Sequence, residues 1–442
     1  MIFELSILAL TILAIYGKTY RYNLLIDDEV PRQGYLVVLT TDEGIRPKPE
    51  FYEQKRSWLY TFTALGTFAL CVFAIYIQWG FWAALLFTVC PLNVCGVAWG
   101  TGSYYMATVW FILVANYFAN HIGLFGKFLS VGFFWVSLET TVSAFAYPFF
   151  AMTFGAWGLP YIMPLLAFLF GKRFRTGLSK RNKLHSDKRV KSGQIDPMRI
   201  FIMPKVIAYY ICLSLFPSRL GFFHEAPKFL NTKARDRYFY GSIIVIGLFT
   251  LWGFGVSWQM TLWYLLFIGL YSQYTTFGMF IAERYTLVAN VGLCVLLSLY
   301  LPHSWLICLT CLWGYRAYLY TDSFRNNEQL FSQSVRAFPQ TCENFNNLGA
   351  IYMTRGLWQQ ALTCFIASIK LDPVPSSNIF INASMCYEYL GQFTTAVMYI
   401  DKATQVCANS ERNQLEQRRI HLLNQINKLK INKKMLRKAG IL

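Results

Sequence analysis

The chain has 442 residues, of which 55% are hydrophobic, 18% aromatic and only 14% charged. A soluble globular domain averages roughly 25% charged residues, so these charges are too few to coat a soluble particle of this size. Disorder, which needs low hydrophobicity and high charge, is excluded as well. Forty Lys and Arg against 22 Asp and Glu leave a net charge of +18. Such an excess fits either nucleic acid or an anionic membrane surface, and its location decides between them.

Crossing ~30 Å of hydrocarbon takes ~20 mostly apolar residues in a helix. Segments 2–16, 58–79, 104–120, 128–150, 240–258, 260–280, 286–301 and 304–320 qualify, and 81–99, 157–170 and 200–216 are shorter versions. About eleven spans are therefore expected. The first carries Glu4, lacks a basic start and has no small-residue cleavage site, which reads as a retained anchor rather than a signal peptide. Asp27-Asp28-Glu29 lie in the loop that follows it. Adjacent carboxylates supply a general base for a hydroxyl nucleophile when repulsion or burial raises a pKa, and otherwise form an ordinary acidic loop.

Residues 91–105 join the third and fourth spans through Gly96, Gly100 and Gly102 and carry Asn93 and Trp99; glycine here permits a tight reversal. Glu139 sits inside an apolar span. It is expected to be paired, protonated or turned to a wet cavity, because burying an unpaired carboxylate is costly. Residues 172–191 hold nine Lys or Arg and one acid, Asp187. Positive loops near membrane ends stay cytoplasmic, so the N-terminus is expected inside, and the first loop and everything beyond residue 320 outside. The charge excess thus reports orientation, and nucleic acid is not expected as a partner.

Pro217-Ser218-Arg219, with His224 and Glu225, marks the outer end of the seventh span, and Ala282-Glu283-Arg284-Tyr285 that of the ninth. An Arg in such a place holds a lipid phosphate by paired hydrogen bonds, or the group simply separates two spans. The His residues, at 121, 185, 224, 303 and 421, are scattered and give no legible metal site. Cys308 and Cys311 read as packing residues in an apolar span. The pairing of Cys342, Cys364, Cys386 and Cys407, all in the outer domain, cannot be read from spacing. No phosphate-cradling Gly loop is present, which argues against a nucleotide-driven motor.

From Asp322 onward the composition turns polar. Asn347, Tyr352, Gly356 and Ala361 recur 35 residues later as Asn382, Tyr387, Gly391 and Ala396. This is a tetratricopeptide (TPR) pattern, whose period is about 34. Repeats are expected at about 343–375 and 378–409, with a helix at 323–338 in front and a capping helix at 411–438 behind. The basic end of that last helix reads as a solvated terminus favoured by the dipole, with a membrane-surface contact as the sharper alternative. The expected fold is all-α: a polytopic transmembrane bundle over 1–320 followed by a short TPR-like domain over 321–442.

This layout resembles the transmembrane and tetratricopeptide-repeat O-mannosyltransferases, which are C-type glycosyltransferases. Asp27-Asp28 look like that family's acidic pair in the first outer loop. Pro91, Val97, Ala98 and Gly102 look like its His-Pro…Ala-Val-Ala…Gly-Arg segment, and Ser137-Leu138-Glu139 like its Ser-Lys-Glu. Leu215-Phe216-Pro217 looks like its Leu-Trp-Pro, and Ala282-Glu283-Arg284-Tyr285 with Val291-Gly292 like its Ala-Glu-Arg…Val-Gly. Asn347-Leu348-Gly349 opens the repeats as there. The chain departs at Cys90, Asn93, Cys95, Leu138 and Ser103, where the family carries polar or charged residues.

The resemblance implies a polyprenyl-phosphate sugar donor and a protein Ser or Thr hydroxyl as acceptor, with no certain cofactor and no metal. It implies Asp28 or Asp27 as base, Glu139 with them in the catalytic group, and Arg284, Arg219 and Glu283 around the donor phosphate. The repeat groove, with Asn347, Tyr352, Asn382 and Tyr387, would present the acceptor. The membrane would be a bacterial inner membrane with the repeats periplasmic, or the endoplasmic reticulum with the repeats lumenal. A non-catalytic scaffold that recruits a partner through its repeats, and a transporter of lipid-linked sugars, are the competing expectations.

Overall fold

A computed structural model describes residues 1–23, 25, 58–99, 102–121, 123–140, 142–152, 159–170, 197–222, 224, 235–273, 281–372, 375–407 and 412–438. Among these residues the fold is all-helical, with no strand. They divide into two compact units, one ending at Leu330 and the other beginning at Phe331.

The first unit contains α1 (Ile2–Tyr16), α2 (Trp58–Trp79), α3 (Phe81–Val89), α4 (Val94–Ala98), α5 (Gly102–His121) and α6 (Gly123–Thr140). It continues with α7 (Tyr147–Met152), α8 (Leu159–Phe170), α9 (Met203–Leu215), α10 (Arg237–Gly269), α11 (Leu287–Tyr300) and α12 (His303–Thr321). Among the described residues four helical stretches are long and apolar enough to cross a membrane: Ile2–Arg21, Thr61–Trp79, Met198–Leu215 and Arg237–Gly269. The pair Phe81–Val89 and Pro91–Ala98 makes a fifth if a 61° bend is allowed. Ile244, Leu248 and Leu251 stand exposed along one side of α10. An apolar face of this kind suits lipid rather than water, which is consistent with a membrane protein.

Several expected spans are interrupted. Segment 81–99 breaks at Cys90, whose backbone is extended, because Pro91 lacks the N–H that would continue the helix. Segment 128–150 divides into α6, a 3-10 turn at Val142–Ala146 and the short α7. The expected pair 240–258 and 260–280 is joined as α10, with a non-helical break at Ser257 (φ −160°, ψ 108°). Segments 157–170 and 286–301 form helices of 12 and 14 residues, shorter than a full crossing needs.

The core of this unit is aromatic. Trp263 is fully buried, donates its indole N–H to the Val288 carbonyl at 2.8 Å and meets Phe150 edge-on at 4.9 Å. Tyr264 donates to the Tyr210 carbonyl at 3.0 Å and bonds Ser214 Oγ at 2.9 Å. Buried Lys205 bonds Asp236 Oδ2 at 2.9 Å, while Asp236 Oδ1 caps α10 by accepting from the Phe239 N–H. The Lys205 ammonium holds the Asp236 carboxyl below its ordinary range.

The second unit carries helix pairs. In α14 (Cys342–Thr354) and α15 (Trp358–Leu371), and again in α16 (Ser377–Tyr389) and α17 (Phe393–Val406), a glycine with positive φ makes the turn; α13 (Asn327–Ala337) precedes them. Leu357 N–H donates to the Tyr352 carbonyl at 2.9 Å and Gln392 N–H to the Tyr387 carbonyl at 2.8 Å, so both turns close with the same six-to-one bond. A Cβ on Gly349 would lie 2.9 Å from the Phe365 ring, and Ala361 and Ala396 are fully buried; small residues here let the helices approach. Helix α18 (Arg412–Lys438) adds Leu415 and Leu422 to the core. Among the described residues no disulfide joins any of the cysteines.

Candidate functional site

Glu283 and Arg284 lie in a 3-10 turn, Glu283–Thr286, just before α11. Glu283 is 3% exposed. Its Oε1 accepts from Gly221 N–H at 2.8 Å and His224 Nε2 at 2.9 Å, and its Oε2 from the Tyr320 hydroxyl at 2.9 Å. The carboxylate acceptor requires the proton on Nε2 of His224, whose Nδ1 lies 3.5 Å from the Tyr209 hydroxyl. A buried carboxylate is tolerated only when hydrogen-bonded in this way. Glu283 is therefore a strut, tying loop 216–224 and α12 to the turn that carries Arg284.

Arg284 is half-buried in an aromatic cage. Its guanidinium carbon is 5.3 Å from the Trp99 ring centre, 5.2 Å from Tyr285 and 5.9 Å from each of Tyr105 and Phe222. Arg is drawn to such faces by cation–π attraction, and the Tyr105 side chain also hydrogen-bonds the guanidinium. Tyr285 in turn stacks on Tyr271 at 4.1 Å with rings nearly parallel, and Phe222 meets Trp99 edge-on at 4.9 Å. A void of about 10 Å³ remains between Cys95, Trp99, Phe222, Glu283, Arg284 and Tyr320, room for about one water.

Asn93 and Gly102, on the two sides of the glycine-rich segment, also belong to this neighbourhood. Asn93 donates to the Phe87 carbonyl at 2.8 Å and accepts from Asn290 Nδ2 at 3.0 Å. Asn290 also donates to Thr286 Oγ1, which donates to the Glu283 carbonyl at 2.8 Å. Gly102 is a point of close approach: an added Cβ would fall 2.0 Å from the Cys95 carbonyl oxygen. Gly102→Ala is expected to destabilise the protein by about 2 kcal/mol or more. Gly132→Ala, with nothing within 4 Å of the new methyl, is expected to be neutral or stabilising by up to ~1 kcal/mol. Thermal unfolding of the two variants in detergent reads the contrast, and equal melting temperatures would refute it.

The end of the first helix is pinned at the same place. Tyr22 hydroxyl donates to Asp322 Oδ1 at 3.1 Å, Lys18 Nζ lies 3.0 Å from the same oxygen, and Asn23 N–H donates to the Arg325 carbonyl at 3.0 Å. Asp322–Arg325 is the turn that follows Tyr320, and its Phe324 lines the void.

Of the residues singled out in the sequence, Asp27, Asp28 and Glu225 lie outside the described residues. Glu139 falls in the last turn of α6, and its side chain is outside the described residues. Glu283, Arg284, His224, Trp99 and Asn93 are brought together. Arg219 is exposed on a loop held on both sides, by Arg316 Nη2 donating to the Ser218 carbonyl at 2.7 Å and by Gly221 N–H on Glu283. Glu283, expected around the donor phosphate, directs both oxygens at protein donors, next to Arg284 in the turn.

In the second unit Asn347 and Tyr352 lie on α14, and Asn382 and Tyr387 on α16. Tyr352 and Tyr387 pack against the core, and Asn382 is 3% exposed, its side-chain oxygen without a hydrogen-bond partner among the described residues. The sequence reading missed Tyr105, Phe222 and Tyr320, which complete the cage and the strut. Single aromatics in an apolar chain carry no signal of their own. No protein-family model, curated protein or solved structure matches the chain.

Proposed function

We propose that the chain is a membrane glycosyltransferase that moves a sugar from a polyprenyl-phosphate donor to a hydroxyl acceptor, Ser or Thr of a polypeptide. The acceptor hydroxyl gives its proton to the carboxylate of Asp28, or Asp27, and its oxygen attacks the anomeric carbon. The bond from that carbon to the phosphate oxygen breaks, and polyprenyl phosphate leaves as an anion held by Arg284, with Arg219 as a second cation. Glu139 belongs to the catalytic group and Glu283 orients Arg284. With about eleven crossings, the site faces the outer or lumenal side. The TPR groove, with Asn347, Tyr352, Asn382 and Tyr387, presents the acceptor on that same side, periplasmic or lumenal.

The observation that carries this reading is the convergence of four separated segments on one caged cation beside the pinned end of the first helix. Asn23, four residues before Asp27 in the sequence, donates its N–H to the Arg325 carbonyl beside this site. The void of about 10 Å³ admits no sugar, so donor entry requires the Phe222 loop to swing away from Trp99. The same closure, with Cys90, Asn93 and Cys95 fully enclosed, favours a second reading, a catalytically inactive scaffold that recruits a partner through its repeats.

Purified chain given a pool of polyprenyl-phosphate sugars and acceptor peptides separates the two. The enzyme reading expects turnover that disappears in Asp28→Asn. Absence of turnover with every donor, alongside tight partner binding by the repeats, establishes the scaffold instead.

A further inference from the structure

We infer that the first unit holds a second site, remote in sequence from Arg284, that binds a membrane lipid with a net-anionic phosphate head. A cavity of about 510 Å³ is lined by Asn116, Asn120, Lys127, Phe128, Val131 and Tyr161 among others, and shares no residue with the void beside Arg284. That size is typical of sites that enclose a small ligand or headgroup.

Its polar groups are costly for the chain to keep. Between Arg56 and Lys172 the sequence has one Lys or Arg, Lys127, and one acid, Glu139. So rare a charge in a long apolar stretch marks a functional position. Lys127 brings the one cation of this stretch to the cavity wall.

An amide ladder leads to the same cavity. Gln78 donates to the Leu113 carbonyl at 3.2 Å, Asn116 Nδ2 to Gln78 Oε1 at 2.9 Å, and Asn120 Nδ2 to the Asn116 carbonyl at 2.9 Å. Tyr161, also in the lining, has its hydroxyl 2.5 Å from that of Ser130, both residues buried. Phe128 is 69% exposed at the rim, and Val131 stands one turn further along the helix. A ligand that suits this lining has an anionic head for the ammonium and amides and an apolar chain for the Phe128–Val131 wall. Lipids with a net-anionic phosphate head combine the two, and basic pockets between membrane helices bind such heads. This inference does not rest on the transferase reading.

The test is lipid retention by the full chain in native mass spectrometry, after exchange into phosphatidylglycerol, phosphatidylcholine or polyprenyl phosphate. Two variants attack the site independently: Lys127→Gln removes the charge and leaves a polar amide one atom shorter, and Val131→Trp fills the cavity while leaving Lys127 in place. Melting temperature confirms that each remains folded. Phosphatidylglycerol retained at least tenfold over phosphatidylcholine, with the preference lost in both variants, supports the site with a bilayer lipid as its ligand. The same pattern for polyprenyl phosphate alone supports the site with the isoprenoid as the source of the phosphate. Equal retention of all three lipids, or a preference that survives in either folded variant, overturns it.

Discussion

Arg284→Ala is expected to lower sugar transfer by at least ~100-fold, because removing one preorganised charge donor from a developing anion costs about 3 kcal/mol of transition-state stabilisation. The leaving phosphate gains charge as the glycosidic bond breaks, so the loss falls on kcat as well as on donor binding. Arg284→Lys retains charge but loses both the planar fork and its stacking among Trp99, Tyr105, Phe222 and Tyr285. It is expected to stand between wild type and alanine. Initial rates across a range of donor concentration, with melting temperature followed in parallel, distinguish this from collapse of the cage. Unchanged turnover in a folded Arg284→Ala protein removes Arg284 from the site.

Glu283→Ala is expected to destabilise the first unit by about 3–5 kcal/mol, the usual cost of deleting one partner of a buried charged network. Gly221 N–H, His224 Nε2 and the Tyr320 hydroxyl would all lose their acceptor at once, and each stranded donor carries its own desolvation penalty of ~1–3 kcal/mol. Glu283→Gln keeps one acceptor oxygen and is expected to cost less than half as much. Thermal unfolding in detergent gives the comparison. If Glu283→Ala melts with wild type, the strut assignment is wrong.

Much of this architecture was legible in the sequence, for identifiable reasons. Apolar helices reveal themselves by composition, so the helical, membrane-type character of the first unit could be read directly. The 35-residue recurrence of Asn347, Tyr352, Gly356 and Ala361 appears as two helix turns with identical closing bonds at Gly356 and Gly391. Lengths were harder. Composition does not report a break such as Ser257 in α10, where a local backbone change interrupts a uniformly apolar run, whereas the bend in 81–98 follows Pro91.

In the site, charges were visible because they are rare in apolar segments, which is why Glu283, Arg284 and His224 stood out. Their partnership was not visible, since 59 residues separate His224 from Glu283 and no local pattern spans that distance. The aromatic cage was hidden by abundance: one residue in a chain with 18% aromatics attracts no attention until it is found against a guanidinium. Lys205, a charge in an apolar helix, carried the same signal, but its partner Asp236 at the start of the next helix did not show.

The central claim, that the caged Arg284 serves sugar transfer from a lipid phosphate, is tested most directly by a single-turnover reaction. Purified full-length chain is loaded with an isotope-labelled polyprenyl-phosphate sugar and mixed with an acceptor peptide, and the label and its anomeric configuration are read by NMR. The account predicts that label leaves the lipid and appears on a Ser or Thr oxygen with inverted configuration, and that Asp28→Asn and Arg284→Ala hold it on the lipid. Label that stays on bound lipid in the wild-type protein, or that transfers equally well in both variants, contradicts it.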